Sequence, residues 1–338
     1  MSTDNQKSIG QILSAPPAGA GAGKESTATK ASNISDSNSP PESSAPVVIA
    51  ENLVKIYKTK DIEVLALQGL DLTIERGEVM AIVGNSGSGK STLLNMIGGL
   101  DKPSAGKLTV DGKDLFKLSE KDLVDYKKQT VGFVWQNNAR NLIPYLSAVE
   151  NVMMPMQFNT DSLMQNKKER AMDLLALMDM DKRAQHRLGQ LSGGEQQRVA
   201  IALSLANNPT ILLADEPTGS VDSGTTDAIM DMFRRVNKEL GTTIIIVTHD
   251  RDISKKVERV VAIRDGKTSS EFIMNHGYAT KLAGLEGFSH GEQLELAVLD
   301  RAGRVQIPRE LLDKMDLKNN RLHIHMDSEG RIVLTSPD

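Results

Sequence analysis

The sequence predicts an α/β domain on a mainly parallel central sheet, preceded by a polar tail and followed by a small β-rich unit. Three observations carry this. Strand-like and helix-like segments alternate from Val47 to about Ile273. The glycine-rich run Gly84–Ser91 lies between a strand pattern and a helical one. After a glycine-bearing stretch, a second and shorter strand pattern begins near Leu294.

Taken in order, residues 1–46 are rich in Ser, Ala, Gly, Pro and Thr. They hold too little apolar surface to offset their ordering entropy, so a disordered tail is expected. Within it, Gly19–Lys24 looks like a phosphate loop, but the spacing is wrong and Glu25 stands where Ser or Thr belongs. The main domain is expected over 47–274. Glu78–Val83 and Val131–Trp135 are predicted strands, and Lys90–Gly99 a helix. Lys167–Met178 is an amphipathic helix, and Glu195–Ala206 is a helix. Ile211–Ala214 is a buried strand, Thr225–Leu240 a helix, and Thr242–Val247 a β-branched strand. Arg259–Arg264 is a strand closed by an Asp265-Gly266 turn. Residues 275–293 are expected to be a linker. The unit at 294–338 pairs strand-like Leu294–Leu299, Arg321–Met326 and Arg331–Thr335 with an extended Arg304–Ile307 and a brief helix at Pro308–Met315. It is too small for a stable core of its own, so partner chains are expected to help.

Composition narrows the function. Hydrophobic content of 39% and charged content of 25% fit a globular chain, and the net charge of −4 argues against whole-protein nucleic-acid binding. With no cysteines, disulfides and thiolate metal sites are excluded. No run approaches the ~18 consecutive apolar residues of a membrane span. The N-terminal stretch has no basic segment followed by an apolar core, so no secretory signal is expected. Any membrane role must come through a partner.

Three motifs carry chemistry. Gly84-Asn85-Ser86-Gly87-Ser88-Gly89-Lys90-Ser91 matches the phosphate loop G-x-x-x-x-G-K-[ST]. Its glycines let backbone N–H groups turn toward phosphate oxygens, and the following helix start adds partial positive charge. Lys90 would reach the β- and γ-phosphates and Ser91 would meet Mg²⁺, with Thr92 completing the nucleotide-binding set. The apolar run Ile211–Ala214 ends in Asp215-Glu216. Alone it reads as a surface turn. At the carboxyl edge of a parallel sheet, Asp215 would hold Mg²⁺ and Glu216 would orient or deprotonate the attacking water. Leu191-Ser192-Gly193-Gly194-Glu195-Gln196-Gln197-Arg198 opens a helix. Alone it is an ordinary capped helix, or else a second anion site that one chain offers to a nucleotide on another.

These motifs, in this order, resemble the ABC ATPase family. The resemblance covers about Val47 to Ile273. It implies a P-loop fold with a parallel core, an antiparallel β subdomain and a helical subdomain, with ATP and Mg²⁺ as ligands. It implies that Tyr57 stacks on adenine, that Gln136 senses Mg²⁺ and γ-phosphate and links to a membrane subunit, and that His249 contacts γ-phosphate. Ser220-Val221-Asp222 would cross the interface of a homodimer, and Ser192, Gly193 and Gly194 would bind the partner's nucleotide. Glu195 stands where the family's usual signature has Gln. Gly98-Gly99-Leu100-Asp101-Lys102-Pro103, Asn141–Pro144 and Ala148–Val152 resemble the macrolide and lipoprotein exporter group, although 137–143 looks longer than that group's spacing. The implied function is an ATP-hydrolysing subunit driving a transmembrane permease from the cytoplasmic face. The alternative is a member that moves a membrane partner for signalling or envelope remodelling. Translation-type members usually carry two such units in one chain, and repair-type members split one with a coiled coil; neither feature is present here. The methionines from Met153 to Met180 are read first as core filler, with a docking surface as the alternative.

Asp300–Leu312 resembles the swapped-hairpin unit of AbrB-like regulators. Arg301, Arg304, Arg309 and Arg321 supply positive charge, but Asp300, Glu310, Asp313, Asp316 and Asp327 dilute it. Dimerisation is therefore the expected role, with DNA binding as the rival.

Overall fold

The computed structural model describes residues 45–59, 62–136, 141–159, 166–218, 223–250, 253, 256–273, 294–300, 303–307, 309–315 and 322–335. The expected tail up to 44, the linker 275–293, the Ser220–Asp222 loop and the segment 137–140 lie outside these residues.

Two sheets form the domain. The main sheet gathers β3 (Val79–Val83), β6 (Val131–Val134), β7 (Ile211–Asp215), β8 (Thr243–Thr248), β9 (Arg259–Arg264), β10 (Lys267–Ile273) and β11 (Leu294–Ala297). Their spatial order is β11-β10-β9-β3-β8-β7-β6. The pairs β3–β8, β3–β9, β7–β8 and β6–β7 are parallel, while β10 and β11 run antiparallel at one edge. The central strands are apolar on both faces: Met80, Ala81, Ile82 and Ile244–Val247 are fully buried. This follows from covering both faces of a parallel sheet.

Against one face packs an antiparallel sheet of β1 (Val48–Lys58), β2 (Glu63–Ile74), β4 (Ala105–Val110) and β5 (Lys113–Asp114), in the order β2-β1-β4-β5. Leu53, Leu67, Leu70 and Ile74 meet Met80, Ile82 and Ile245 there, with α1 (Lys90–Ile97) and Tyr126 of α2 (Glu120–Gln129) in the same core. The other face carries α3 (Ala148–Met153), α4 (Lys167–Leu177), α5 (Gly193–Ser204) and α6 (Ser223–Leu240). Met156, Met178, Met180, Met230 and Phe233 fill that core, with Met153 and Met172 packed against it; Met154 is exposed and Met164 lies outside the described residues, so the core-filler reading holds for only part of the stretch from Met153 to Met180.

Arg259 ties the two sheets together. Its guanidinium donates to the Thr73 carbonyl of β2 at 2.9 Å, meets the Glu78 carboxylate at 3.2 Å, and pairs with Glu271 on β10. Arg259 and Glu78 are each 5% exposed.

The sequence pattern starts the C-terminal unit at 294. In the structure Leu294–Ala297 extends the main sheet, pairing with Ser270–Ile273. Beyond it, Leu299 and Val305 form a single bridge, α7 spans Arg309–Lys314, and β12 (His323–Met326) and β13 (Ile332–Thr335) form a hairpin. Ile324, Met326 and Ile332 are 67%, 69% and 73% exposed. Among the described residues, no helix is long and apolar enough to cross a membrane.

Candidate nucleotide site

The parallel strands β3, β7 and β8 end side by side, and their carboxyl ends present the predicted residues together. After β3 the chain turns through Gly84–Gly89 into α1. A Cβ on Gly84 would lie 2.3 Å from the Ile263 carbonyl oxygen, so no side chain fits where the loop meets β9. Gly89, at φ 104°, caps α1 in a conformation that favours glycine, and a Cβ there would press on Ala66 and Leu67 at 2.7 Å. From behind, the Gly266 N–H donates to the Ser88 carbonyl at 3.0 Å.

Lys90 is buried. Its ammonium donates to the Gly84 and Asn85 carbonyls at 2.8 and 3.0 Å, so the side chain curls over the loop. Burial pushes this ammonium below the usual lysine range, against the opposing pull of Glu216 and Asp215. The Ser88 hydroxyl is buried with no protein partner. The Ser91 hydroxyl donates to Asp215 at 3.3 Å. Burial pushes the Asp215 carboxyl up; the Ser91 hydrogen bond draws it down, and neighbouring Glu216 pushes it up again.

Glu216 follows β7 with φ 48°, a left-handed conformation rare for such a residue, and its N–H donates to the Val247 carbonyl at 2.8 Å. This bend aims the carboxylate across to the end of β8. One oxygen lies 2.7 Å from His249 Nδ1, and the other accepts from the Thr248 hydroxyl at 3.4 Å. The Glu216 side chain is 14% exposed and that of His249 is 69% exposed. The sequence reading did not assign Thr248 a role. Its signal is the position before His249, where a β-branched residue ends the strand with a hydroxyl.

Tyr57 lies near the end of β1, 39% exposed. Its hydroxyl donates to Asp101 at 2.7 Å, and burial leads the effects that push the phenol above its usual range. Thr92 follows Ser91 in the first turn of α1. Gln136 is exposed just past β6, where Trp135 stacks on Phe133 at 3.9 Å. Ser192 is the exposed N-cap of α5. Its hydroxyl accepts from the Glu195 N–H at 3.3 Å, while the Glu195 carboxylate accepts from the Ser192 N–H at 2.8 Å. The Ser192 N–H bond leads the effects that hold Glu195 below the usual carboxylate range. A glutamate in the usual glutamine position thus closes a capping box. Gly193 and Gly194 follow on the first turn, and a Cβ on Gly193 would meet nothing within 4 Å. Ser91 contacts Asp215 and Glu216 contacts His249, while Lys90 bonds to the carbonyls of its own loop within reach of the Asp215 and Glu216 charges. Ser192 has its contacts with its own helix.

This donor set fits a polyphosphate and a hard cation. A buried lysine and an unpartnered buried hydroxyl lie in a glycine cradle at a helix start. A serine hydroxyl and a carboxylate lie together at its rim, the oxygen ligands that Mg²⁺ takes.

Residues 67–219 match the ABC transporter family. A macrolide export ATP-binding/permease protein of Syntrophobacter fumaroxidans is 44% identical over 65% of this chain, and the chain spans 31% of that relative's length. An ABC transporter ATP-binding protein of Methanocaldococcus jannaschii, MJ0796, is 43% identical over 65% of this chain and 94% of its own. A solved structure of MJ0796, a dimer in a post-hydrolysis state bound to ADP and Pi, matches with TM-score 0.60 and 41% identity, covering 66% of this chain and 97% of that one.

Proposed function

The chain belongs to the ABC transporter family of ATP-binding proteins, and from that premise we propose that it hydrolyses MgATP as a dimer and drives a separate transmembrane permease of exporter type. The observation that carries this is the gathering of Lys90 in its glycine loop, the Ser91–Asp215 contact and the Glu216–His249 contact at the carboxyl edge of the sheet.

Each residue takes the role its surroundings suit. The loop N–H groups and Lys90 hold the phosphates, and Lys90 exchanges its two carbonyl acceptors for phosphate oxygens. Ser91 and Asp215 would hold Mg²⁺, which supplies charge neutralisation across the β- and γ-phosphates. Glu216 orients the attacking water and accepts its proton, with Thr248 and His249 fixing its two oxygens. His249, the more exposed of the pair, contacts the γ-phosphate. Tyr57 stacks on the base. Ser192, Gly193 and Gly194 complete the other subunit's site, as supported by their exposed helix start and by the dimeric state of MJ0796. Gln136 couples the site to the permease, which places the chain at the inner face of a membrane.

The C-terminal unit, read as AbrB-like, adds a second homodimer contact. The exposure of Ile324, Met326 and Ile332 on one hairpin supports a partner chain covering them.

Purification from solubilised membranes tests the permease assignment. A co-purifying membrane protein with no ATPase motif, raising phosphate release, is the expected result. ATPase activity with no membrane partner under any mild detergent would contradict it.

A further inference from the structure

We infer that Lys55 and Asp101 are positioning residues for the nucleotide base, clamping the Tyr57 ring before a ligand arrives. This rests on the reading of Tyr57 as the base-stacking residue. An exposed aromatic at a strand end ordinarily samples several rotamers, and stacking must then remove that freedom. Here the freedom is already gone. Asp101 bridges the two groups, accepting from the Tyr57 hydroxyl at 2.7 Å through one oxygen and from the Lys55 ammonium at 2.6 Å through the other. The same ammonium lies 4.7 Å from the Tyr57 ring centroid, within cation–π range, and also donates to the Lys102 carbonyl at 2.8 Å. Hydroxyl and ring are therefore held separately, which fixes both side-chain torsions.

The clamp is anchored to the phosphate cradle. The Leu100 and Asp101 N–H groups both donate to the Asn95 carbonyl of α1, at 2.8 and 3.3 Å. The helix whose first turn presents Lys90 and Ser91 thus also sets where the ring stands. Lys55 and Asp101 side chains are only 10% and 26% exposed, so their charges satisfy one another where water is scarce. A clamp of this kind acts on ligands that carry a base and leaves the phosphate subsite alone.

The test titrates full-length protein with ATP and, separately, with inorganic tripolyphosphate, following displacement of a fluorescent ATP analogue. Tyr57→Ala should weaken ATP about tenfold. Lys55→Met, Asp101→Ala and Tyr57→Phe should each weaken it about three- to fivefold. Tripolyphosphate should hold within about twofold throughout. Asp101→Ala added to Tyr57→Ala should cost nothing further, because the clamp has no ring to hold. Tyr57→Phe keeps the ring and the fold, so it carries the test if a charge variant does not fold. Equal weakening of both ligands would overturn the inference and mark the cluster as merely structural. Loss in Tyr57→Ala with none in Tyr57→Phe or Asp101→Ala would overturn the clamp alone. Unchanged ATP affinity in Tyr57→Ala would overturn base stacking, and the clamp with it.

Discussion

Glu216 shows how much chemistry one backbone angle can set. At φ 48° its carboxylate leaves the line of β7 and reaches His249 and Thr248 at the end of β8. Replacing it with glutamine keeps the shape and removes the proton acceptor. Glu216→Gln should retain ATP binding while phosphate release falls at least about a hundredfold; a rate within a few fold of the parent would contradict its role as base. Lys90→Ala should lose most nucleotide affinity in the same displacement titration, since among the described residues no other buried cation lies in the cradle. Gly84→Ala tests the backbone directly. Its Cβ would lie 2.3 Å from the Ile263 carbonyl oxygen, so the loop must shift, and ATP binding should drop with little change in helix content by circular dichroism. The phosphate loop and the Asp215-Glu216 pair were legible in the sequence because their chemistry is written in contiguous residues. The Thr248 contact and the Lys55–Asp101–Tyr57 cluster were not, because they join residues distant in sequence: the hydroxyl before His249 marks only the place of the first, and no local pattern marks the second.

At the scale of elements, two helix starts and one buried arginine organise the domain. Ser192 caps α5 through a reciprocal pair with Glu195. Ser192→Ala should cost about 1 kcal/mol of stability, measured by urea unfolding. It should also cut ATPase activity far more than a cap alone requires, if Ser192 serves the second subunit. Arg259 joins β9 to Thr73, Glu78 and Glu271. Arg259→Ala leaves Glu78 buried without that cation, and should destabilise the domain by about 3–5 kcal/mol by the same measurement. The parallel strands were legible because they read as short apolar runs, and the helices of the other face because they keep a helical period. The antiparallel sheet was implied only by family resemblance. Its β1–β2 pairing has register shifts between Ala50 and Leu53 and between Lys55 and Ile56, which break the alternation a strand would show. The placement of β11 on β10 was illegible for a different reason: edge pairing depends on backbone groups and carries no side-chain signature.

At the scale of the molecule, the proposed function requires a second chain to bring its Ser192 helix start to the phosphate that Lys90 is proposed to hold. The signature segment is exposed, capped within its own helix and built around small residues, as a surface meant to meet another subunit's anion would be. The solved structure of the related protein MJ0796 is a dimer in a post-hydrolysis state bound to ADP and Pi. Light scattering of the Glu216→Gln protein on a sizing column, with and without MgATP, is the most direct measurement of this claim. Residues 301–338 are removed for it, which keeps β11 on the main sheet while the hairpin cannot dimerise the chain independently. The expected result is a monomer without nucleotide and a dimer with MgATP, abolished by Ser192→Arg. A monomer under both conditions, with ATP bound, would contradict it.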